Sequence, residues 1–217
     1  MTTRIENEEI EELKSFWNSY GKPIFIGVLL AIAIVSVWKF WENHQIANKV
    51  KEAQNYQLLI FAMSQPLDKV NEADVISIAD QLQKANPDSY YAQYAKFYLA
   101  KLAVSQNKLD DAAKALKAVL DKPADAALGE LSRERLVRVL LAQNKLDEAF
   151  ALLQAPVEKE FVTTREELKG DVLLKQSKID QAREAYRAAL AAAEADKLGN
   201  QLIIKLKLNN LAQEDIK

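Results

Sequence analysis

One uncharged apolar segment constrains this chain more than any other feature of its sequence. Residues 23–38 read PIFIGVLLAIAIVSVW and contain no charged side chain. A helix of this length extends about 24 Å, and Lys39 can reach outward with its ammonium group, so the apolar stretch effectively covers residues 23–41 and approaches the thickness of a membrane core. The sequence therefore predicts a membrane-spanning helix, although the mean hydropathy of −0.20 is that of an ordinary soluble protein.

Aromatic and basic side chains flank this segment at both ends. Trp and Tyr rings favour the headgroup region of a membrane, and lysines there can extend to water. The predicted interface residues are Trp17, Tyr20, Lys22, Trp38, Lys39 and Trp41. Inside the segment, Gly27 and Ala31 lie four residues apart, a spacing of small side chains that lets a second membrane helix pack closely.

Two other interpretations of the segment are open. A cleaved signal peptide has a basic start and small residues before the cut, whereas five Glu precede this segment and the bulky VWKFW ends it. A buried helix of a soluble domain usually carries a polar face, which this segment lacks. Basic residues do not determine the orientation, because three precede the segment and three closely follow it: Arg4, Lys14 and Lys22, then Lys39, Lys49 and Lys51.

The residues ahead of the segment form an acidic tail. Its apolar side chains recur at intervals of three and four, at Ile10, Leu13, Trp17 and Tyr20. This spacing predicts a short amphipathic helix at the membrane interface. A frayed tail with a charged face is the alternative.

A turn motif recurs three times after the membrane segment. Residues 106–112 read QNKLDDA, residues 143–149 read QNKLDEA and residues 176–182 read QSKIDQA, at intervals of 37 and 33 residues. These intervals bracket the period of about 34 residues that is typical of tetratricopeptide repeats, which are helical hairpins. Asn107 and Asn144 are suited to end a helix in the left-handed conformation. The sequence therefore predicts an all-α chain, with one N-terminal transmembrane helix followed by a tetratricopeptide-like helical-hairpin solenoid.

The predicted organisation has four parts. They are an acidic tail over 1–22, a transmembrane signal anchor over 23–41, connecting helices over 42–87, and a solenoid over 88–217 whose C-terminal capping helix follows Gly199. Terminal repeats need such a cap to cover their last apolar face.

Prolines predict two local features of this organisation. Asn86 before Pro87 predicts that the next helix starts there, with Asn86 as its N-cap. Pro156 is expected to shorten the second helix of the middle repeat and to produce an offset or bend in the solenoid, because proline lacks an amide donor and clashes with the preceding turn.

Catalysis and nucleic-acid binding are not expected from the composition. The chain has no Cys, and its only histidine, His44, lies beside the membrane exit without acidic residues at ligand spacing, so a metal site or a histidine-based nucleophile lacks its parts. The five glycines are isolated and form no phosphate-binding loop. With 29 Lys+Arg against 31 Asp+Glu, the net charge of −2 does not attract nucleic acid. We therefore expect no cofactor, no metal and no enzyme activity.

Both ends of the chain resemble a known family. The pattern IENEEIEELKSFWNSYGKPIFIGVLLAIAIVSVWKFWENHQ, the repeat ELKGDVLLKQSKIDQAREAYRAAL and the terminal LKLNNLA are similar to the ancillary SecYEG translocon subunit family, over essentially the whole chain. The most specific parts are the acidic tail leading into Phe16 and Trp17, the exit at Trp38 and Trp41, and the stretch 168–171.

The resemblance implies a single-pass protein of the bacterial inner membrane, with a cytoplasmic N-terminus and a periplasmic domain. It implies a non-enzymatic adaptor that associates with the SecYEG translocon and the membrane-anchored periplasmic chaperone PpiD, and that helps hand emerging secretory polypeptides to periplasmic chaperones. An envelope-stress response regulator is a further partner implied by the family. The alternative is a structural scaffold of envelope assembly that does not contact translocating chains. A third interpretation places the solenoid in the cytosol.

Stacked tetratricopeptide hairpins line a concave face with their first helices, and this face is the predicted partner-binding surface. The residues expected to point into it are Tyr94, Phe97, Lys101, Glu134, Arg138, Glu167 and Asp171. An aromatic groove suits extended or unfolded segments. The alternatives are that the aromatic side chains pack in the core and that the charged ones form only a solvated face with weak ion pairs.

Overall fold

The computed structural model describes residues 2–195 and 201–214, and Gly199 lies outside them. The described residues contain no β-strand, which confirms the all-α prediction. The helices are α1 (Thr2–Met63), α2 (Glu72–Ala85), α3 (Tyr90–Ser105), α4 (Leu109–Leu120), α5 (Ala126–Ala142), α6 (Leu146–Leu152), α7 (Val162–Lys175), α8 (Ile179–Ala195) and α9 (Gln201–Glu214). Short 3₁₀ turns lie at Leu67–Lys69 and Lys159–Phe161.

The chain divides into two compact units, residues 1–51 and residues 52–217. In the first unit, α1 contains a segment long and apolar enough to cross a membrane. Its described apolar side chains are exposed within this unit, for example Val37 at 70% and Phe40 at 76%. A core helix of a soluble domain would be covered by other side chains, so the structure argues against that interpretation. The side chains of Ile10 and Leu13, on which the amphipathic tail was predicted, lie outside the described ones.

The second unit begins with the last turns of α1. Leu59 and Met63 of this helix are buried in a cluster with Val75 and Leu82 of α2 and with Leu102 of α3. The end of α1 and α2 therefore form one more helical pair that packs against the first repeat. Burial of such apolar side chains stabilises the pair by removing their surfaces from water.

The repeats and the last helix are held by two apolar clusters, and Phe150 packs against both. Leu116, Leu136 and Leu168 are buried in a cluster that joins the first, second and third hairpins. Ile204 and Leu211 of α9 are buried against α8 beside Tyr186. The C-terminal helix thus covers the apolar face of the last hairpin, which is what a terminal cap does in a solenoid.

Each repeat turn contains one left-handed residue, as predicted for the two asparagines. Asn107, Asn144 and Ser177 have φ of 59°, 60° and 61°. In each turn the next amide bonds back to a carbonyl in the preceding helix, as in Lys108 N to Ala103 O at 2.8 Å. These bonds satisfy carbonyl groups that the helix end would otherwise leave free. Ser177 adopts the same conformation without the intrinsic tolerance of Asn or Gly.

Replacing Ser177 by Gly is expected to raise the free energy of unfolding by about 1 kcal/mol, because glycine adopts positive φ without steric cost. Urea denaturation of the full-length protein in detergent, followed by circular dichroism, measures this change. Ser105→Gly is the matched control at the right-handed end of α3, where glycine should destabilise by about 0.5–1 kcal/mol. Equal losses at the two positions would contradict the assigned turn geometry.

A ladder of side-chain bonds links successive turns and explains why the same spacing of Gln and acidic residue recurs in the turn motif. Gln143 Nε2 donates to Asp110 Oδ1 at 2.8 Å, and Gln176 Nε2 donates to Asp147 Oδ1 at 3.0 Å. Gln106 makes the equivalent bond to Glu72 at 3.1 Å. Each glutamine thus contacts the acidic residue at the start of the second helix of the preceding pair. The end of α1 and α2 therefore form a helical pair that is bonded to the first repeat through the same glutamine-to-carboxylate contact that joins successive repeats.

The structure corrects the predicted start of α3. Asn86 ends α2, since its amide bonds to Leu82 O at 3.2 Å, and Ser89 is the N-cap of α3, with its hydroxyl accepting from the amide of Ala92 at 3.1 Å. The prediction was wrong because the amide of Asn86 still completes α2, so the turn with Pro87 separates it from α3. Ser89 is an equally good capping residue and lies directly before the first helical position.

Pro156 has the predicted effect on the middle repeat. Its second helix, α6, has only 7 residues, whereas α4 has 12 and α8 has 17. The predicted offset or bend stays a prediction.

A buried charged cluster occupies the place where α6 ends early. The Arg165 guanidinium donates to Glu130, with Nε–Oε1 at 2.8 Å and Nη2–Oε1 at 2.6 Å. Its Nη1 donates to the carbonyl oxygens of Leu153 at 3.2 Å and Ala155 at 2.7 Å, and Arg133 donates to Leu152 O at 3.2 Å. The two arginines therefore satisfy carbonyl groups that a longer helix would have bonded itself, and Glu130 balances the buried charge.

Candidate functional site

A cleft of about 350 Å³ lies between α3, α4 and α5. We call it the α3–α5 cleft. Its walls are mainly apolar, and the basic side chains among its lining residues come from two helices. The lining residues are Phe97, Ala100, Val104, Leu109, Leu116, Val139 and Ala142, with Lys101, Arg135 and Arg138.

Phe97 forms the floor of the cleft, because it is only 4% exposed. The Arg135 guanidinium lies over its ring, with Cζ 4.7 Å from the ring centroid. Such a contact is a cation–π interaction and holds the cation beside the apolar floor. Burial and the neighbouring Arg138 lower the pKa of Arg135, but a guanidinium stays charged at neutral pH.

Arg138 and Glu134 lie one turn apart on α5. Arg138 Nη1 is 3.8 Å from Glu134 Oε2, which is a long ion pair. Burial raises the pKa of Glu134, and the charge of Arg138 partly opposes this effect. Glu134 is partly buried and Arg138 is exposed, so Arg138 presents its positive charge to solvent at the cleft.

Tyr94 lies next to Phe97 at the edge of an aromatic group. Its ring centroid is 6.2 Å from that of Phe97 and 5.9 Å from that of Tyr56, and Tyr94 is 37% exposed. Tyr56, from the end of α1, also contacts Tyr91 and Tyr98 at 5.1 and 6.4 Å. Burial, helped by Tyr98 and Tyr94, raises the pKa of Tyr56 to about 12. Part of the predicted aromatic surface therefore packs inside the second unit, and Tyr94 stays accessible.

Glu167 and Asp171 lie apart from the cleft and contact the last helix. The ammonium of Lys207 on α9 lies 2.7 Å from Glu167 Oε1 and 2.6 Å from Asp171 Oδ1. Burial disfavours the charge of Lys207, but the bonds to Asp171 and Glu167 outweigh it, so its pKa is raised. The Tyr186 hydroxyl also donates to Asp171 at 2.7 Å. The acidic end of the predicted face is thus occupied by α9 and its lysine.

The structure brings four of the seven predicted face residues to one place. Phe97, Lys101 and Arg138 line the α3–α5 cleft, and Tyr94 adjoins its floor. Glu134 pairs with Arg138 beside it. Arg135, which follows Glu134 directly, also lines the cleft although it was not predicted as a face residue. Arg135 lies three residues before Arg138, so both side chains are on one face of α5. This spacing could have predicted that Arg135 lines the same surface.

The predicted membrane residues all lie on α1 in the first unit. The aromatic side chains at the two ends of the segment, Trp17, Tyr20, Trp38 and Trp41, are exposed within this unit. Gly27 has no atom within 4 Å of the position that a Cβ would take, so the helix surface is open beside it. Both observations are compatible with contacts to lipid or to another membrane helix.

The arrangement around the cleft is suited to binding. Apolar walls supply contact area, and the cations at the rim supply charge. Among the described residues, no group of three His, Asp or Glu side chains is placed to hold a metal ion.

Comparisons with known proteins agree with the repeat architecture. Residues 14–213 match the family described as the tetratricopeptide repeat-like domain. The ancillary SecYEG translocon subunit of Neisseria gonorrhoeae is 31% identical to this chain over 206 residues, which cover 95% of this chain and 97% of the relative. The subunits of the same name from Escherichia coli and Aggregatibacter actinomycetemcomitans are 27% and 29% identical, with the same coverage. The similarity therefore includes the N-terminal apolar helix as well as the repeats.

Proposed function

The chain belongs to the family of ancillary SecYEG translocon subunits, and on that basis we propose that it is a non-enzymatic adaptor of the SecYEG translocon. The observation that carries the proposal is the α3–α5 cleft, which combines an apolar floor at Phe97 with an accessible rim. Such a surface can hold short apolar segments of an unfolded polypeptide without demanding one sequence.

The proposed topology follows the resemblance seen in the sequence. The apolar part of α1 spans the bacterial inner membrane once, with the N-terminus in the cytoplasm and the solenoid in the periplasm. The membrane helix then confines the solenoid to the neighbourhood of the channel. Confinement raises the effective concentration of the cleft toward emerging polypeptides, so weak contacts suffice for frequent capture.

The proposed partners act on either side of this capture step. SecYEG delivers the emerging secretory polypeptide, and a membrane-anchored periplasmic chaperone, PpiD, receives it. Fast exchange of an apolar segment between cleft and chaperone is favoured by an open rim, which the exposed Tyr94 and Val104 provide. Binding of an envelope-stress response regulator is a further proposed role. The alternative is a scaffold that joins membrane proteins and never contacts translocating chains.

A photocrosslinker at Val104 separates the adaptor from the scaffold. Val104 lines the cleft and is 46% exposed, so a probe there can meet a bound chain without disturbing the core. We expect irradiation of growing cells to give adducts with newly made secretory proteins, detected by pulse labelling and immunoprecipitation.

The matched control is the same crosslinker at Lys117, an exposed position on α4 that is not among the cleft-lining residues. It should give few such adducts. Equal labelling from both positions, or adducts with other membrane proteins alone, would favour the scaffold.

A further inference from the structure

The α3–α5 cleft carries more positive charge than its immediate surroundings balance. Lys101, Arg135 and Arg138 all line it. Among the described residues, Lys101 and Arg135 form no ion pair, and Arg138 has only the 3.8 Å contact to Glu134. Among the described residues, Glu134 is therefore the only carboxylate that pairs with any of these three cations.

Some basic side chains elsewhere in the same unit have close acidic partners. Lys122 lies 2.6 Å from Asp88, and Lys108 lies 3.0 Å from Glu72. Lys207 contacts two carboxylates, as described above. What distinguishes the α3–α5 cleft is that no carboxylate is among its lining residues, whereas another cleft of the unit, lined by Lys96, Lys108 and Lys114, also contains Glu72 and Asp111.

We propose that the α3–α5 cleft selects polypeptide segments in which a bulky apolar side chain is flanked by Asp or Glu. The proposal rests on the adaptor function and specifies which segments the adaptor takes. The apolar side chain contacts Phe97, Val104 and Val139 on the floor and walls. The flanking carboxylates pair with Lys101 on α3 and with Arg138 on α5.

The two kinds of cation have different roles in this recognition. An arginine fork can bind a carboxylate through two parallel hydrogen bonds, which gives geometric specificity. Lys101 is a flexible point charge that accepts carboxylates at varied positions. Arg135 is held against the Phe97 ring and keeps positive charge beside the floor. Together they disfavour segments flanked by Lys or Arg, because like charges brought into the cleft repel.

The shape of the cleft favours a polypeptide over a lipid surface. Its floor is recessed, with only the edge of Phe97 exposed, and the cleft lies between three helices. A single side chain of a flexible segment can enter such a recess, whereas a bilayer surface contacts protruding apolar groups.

Binding of short fluorescent peptides to the full-length protein in phosphatidylcholine nanodiscs tests the proposal. Three peptides share a central Phe and Leu and differ only in flanking residues, which are Glu, Gln or Lys. Fluorescence anisotropy should show the Glu-flanked peptide binding about tenfold tighter than the Gln-flanked one, as expected for two modest charge pairs. The Lys-flanked peptide should bind weakest. The preference should fall as salt is added.

The variant Lys101→Gln with Arg138→Gln should reduce the preference for Glu over Gln to about twofold or less. Its affinity for the Gln-flanked peptide should fall less than its affinity for the Glu-flanked peptide, because the apolar floor is intact. The control variant Lys117→Gln with Lys122→Gln removes two cations outside the cleft and should keep the wild-type preference.

Several results would overturn the proposal. Equal binding of the Glu- and Gln-flanked peptides would show an apolar cleft without charge selection, and the adaptor function would survive if Val104 still crosslinks to secretory chains. An unchanged preference in the Lys101 and Arg138 variant would place recognition elsewhere. Displacement of the peptide by phosphatidylglycerol vesicles, or Val104 adducts only with a second copy of this chain, would identify a different occupant. Absence of both peptide binding and secretory adducts would reject the cleft as a polypeptide site and the adaptor function with it.

Discussion

Replacing Glu130 by Gln is expected to lower the free energy of unfolding by about 3–5 kcal/mol. Arg165 is fully buried and its guanidinium donates to both carboxylate oxygens of Glu130. Without the carboxylate, a buried positive charge loses its counter-ion while it is still held by the carbonyl groups at the end of α6. Urea denaturation of the full-length protein in detergent measures the loss.

An exposed ion pair provides the control for this experiment. Lys117 and Asp121 lie 2.7 Å apart, but both side chains are more than half exposed, so Lys117→Gln should cost about 0.5 kcal/mol or less. The double variant Glu130→Gln with Arg165→Met should be more stable than Glu130→Gln alone, since it removes the unpaired charge. If Glu130→Gln lowers the free energy of unfolding no more than Lys117→Gln does, the buried cluster does not replace the missing turn of α6.

Replacing Gly170 by Ala is expected to destabilise the third repeat by about 2 kcal/mol. A Cβ at this position would clash with Cε1 of Tyr186 and lie 2.5 Å from its Cδ1. The ring cannot move away easily, because Tyr186 is 1% exposed and its hydroxyl is bonded to Asp171. The usual gain of about 1 kcal/mol for alanine over glycine in a helix is smaller than this steric cost.

Gly129→Ala is the matched control, since Gly129 also lies inside a helix of the solenoid. Its Cβ would lie 3.1 Å from the nearest atom, Cγ of Pro123, so a shift of a few tenths of an ångström suffices. The two variants should differ by more than about 1 kcal/mol in urea denaturation. Gly170→Ala with wild-type stability would mean that α7 and α8 are not packed as closely as described.

Local features of this fold were predictable from the sequence because they depend on neighbouring residues. Asn107 and Asn144 favour the left-handed conformation by their own chemistry, and Pro156 interrupts a helix wherever it stands. Ser177 shows the limit of such rules, since the surrounding hairpin imposes a conformation that serine does not favour by itself. The predicted start of α3 was wrong for a local reason, because Asn86 and Ser89 are both good caps and the amide of Asn86 is already used to complete α2.

The contacts that shape the candidate site depend on residues far apart in the chain. Glu130 and Arg165 are separated by 35 residues, and Lys207 reaches Asp171 across 36. No spacing rule connects such pairs, because they meet only after the hairpins stack. Glu167 and Asp171 were therefore predicted on an open face, although α9 covers them. Glu134 was predicted on the concave face, and Arg135, one position later on α5, was not predicted there because successive side chains on a helix point about 100° apart.

The adaptor function requires the solenoid to lie on the side of the membrane where translocated chains emerge. Reporter fusions to the C-terminal end of the full chain test this requirement most directly. Alkaline phosphatase folds only where its disulfides form, and a cytoplasmic reporter such as β-galactosidase is active only inside. We predict high phosphatase activity and low β-galactosidase activity after the last residue, with the opposite result for both reporters fused ahead of the first. High β-galactosidase and low phosphatase activity at the C-terminal end would place the solenoid in the cytosol and contradict the proposed function.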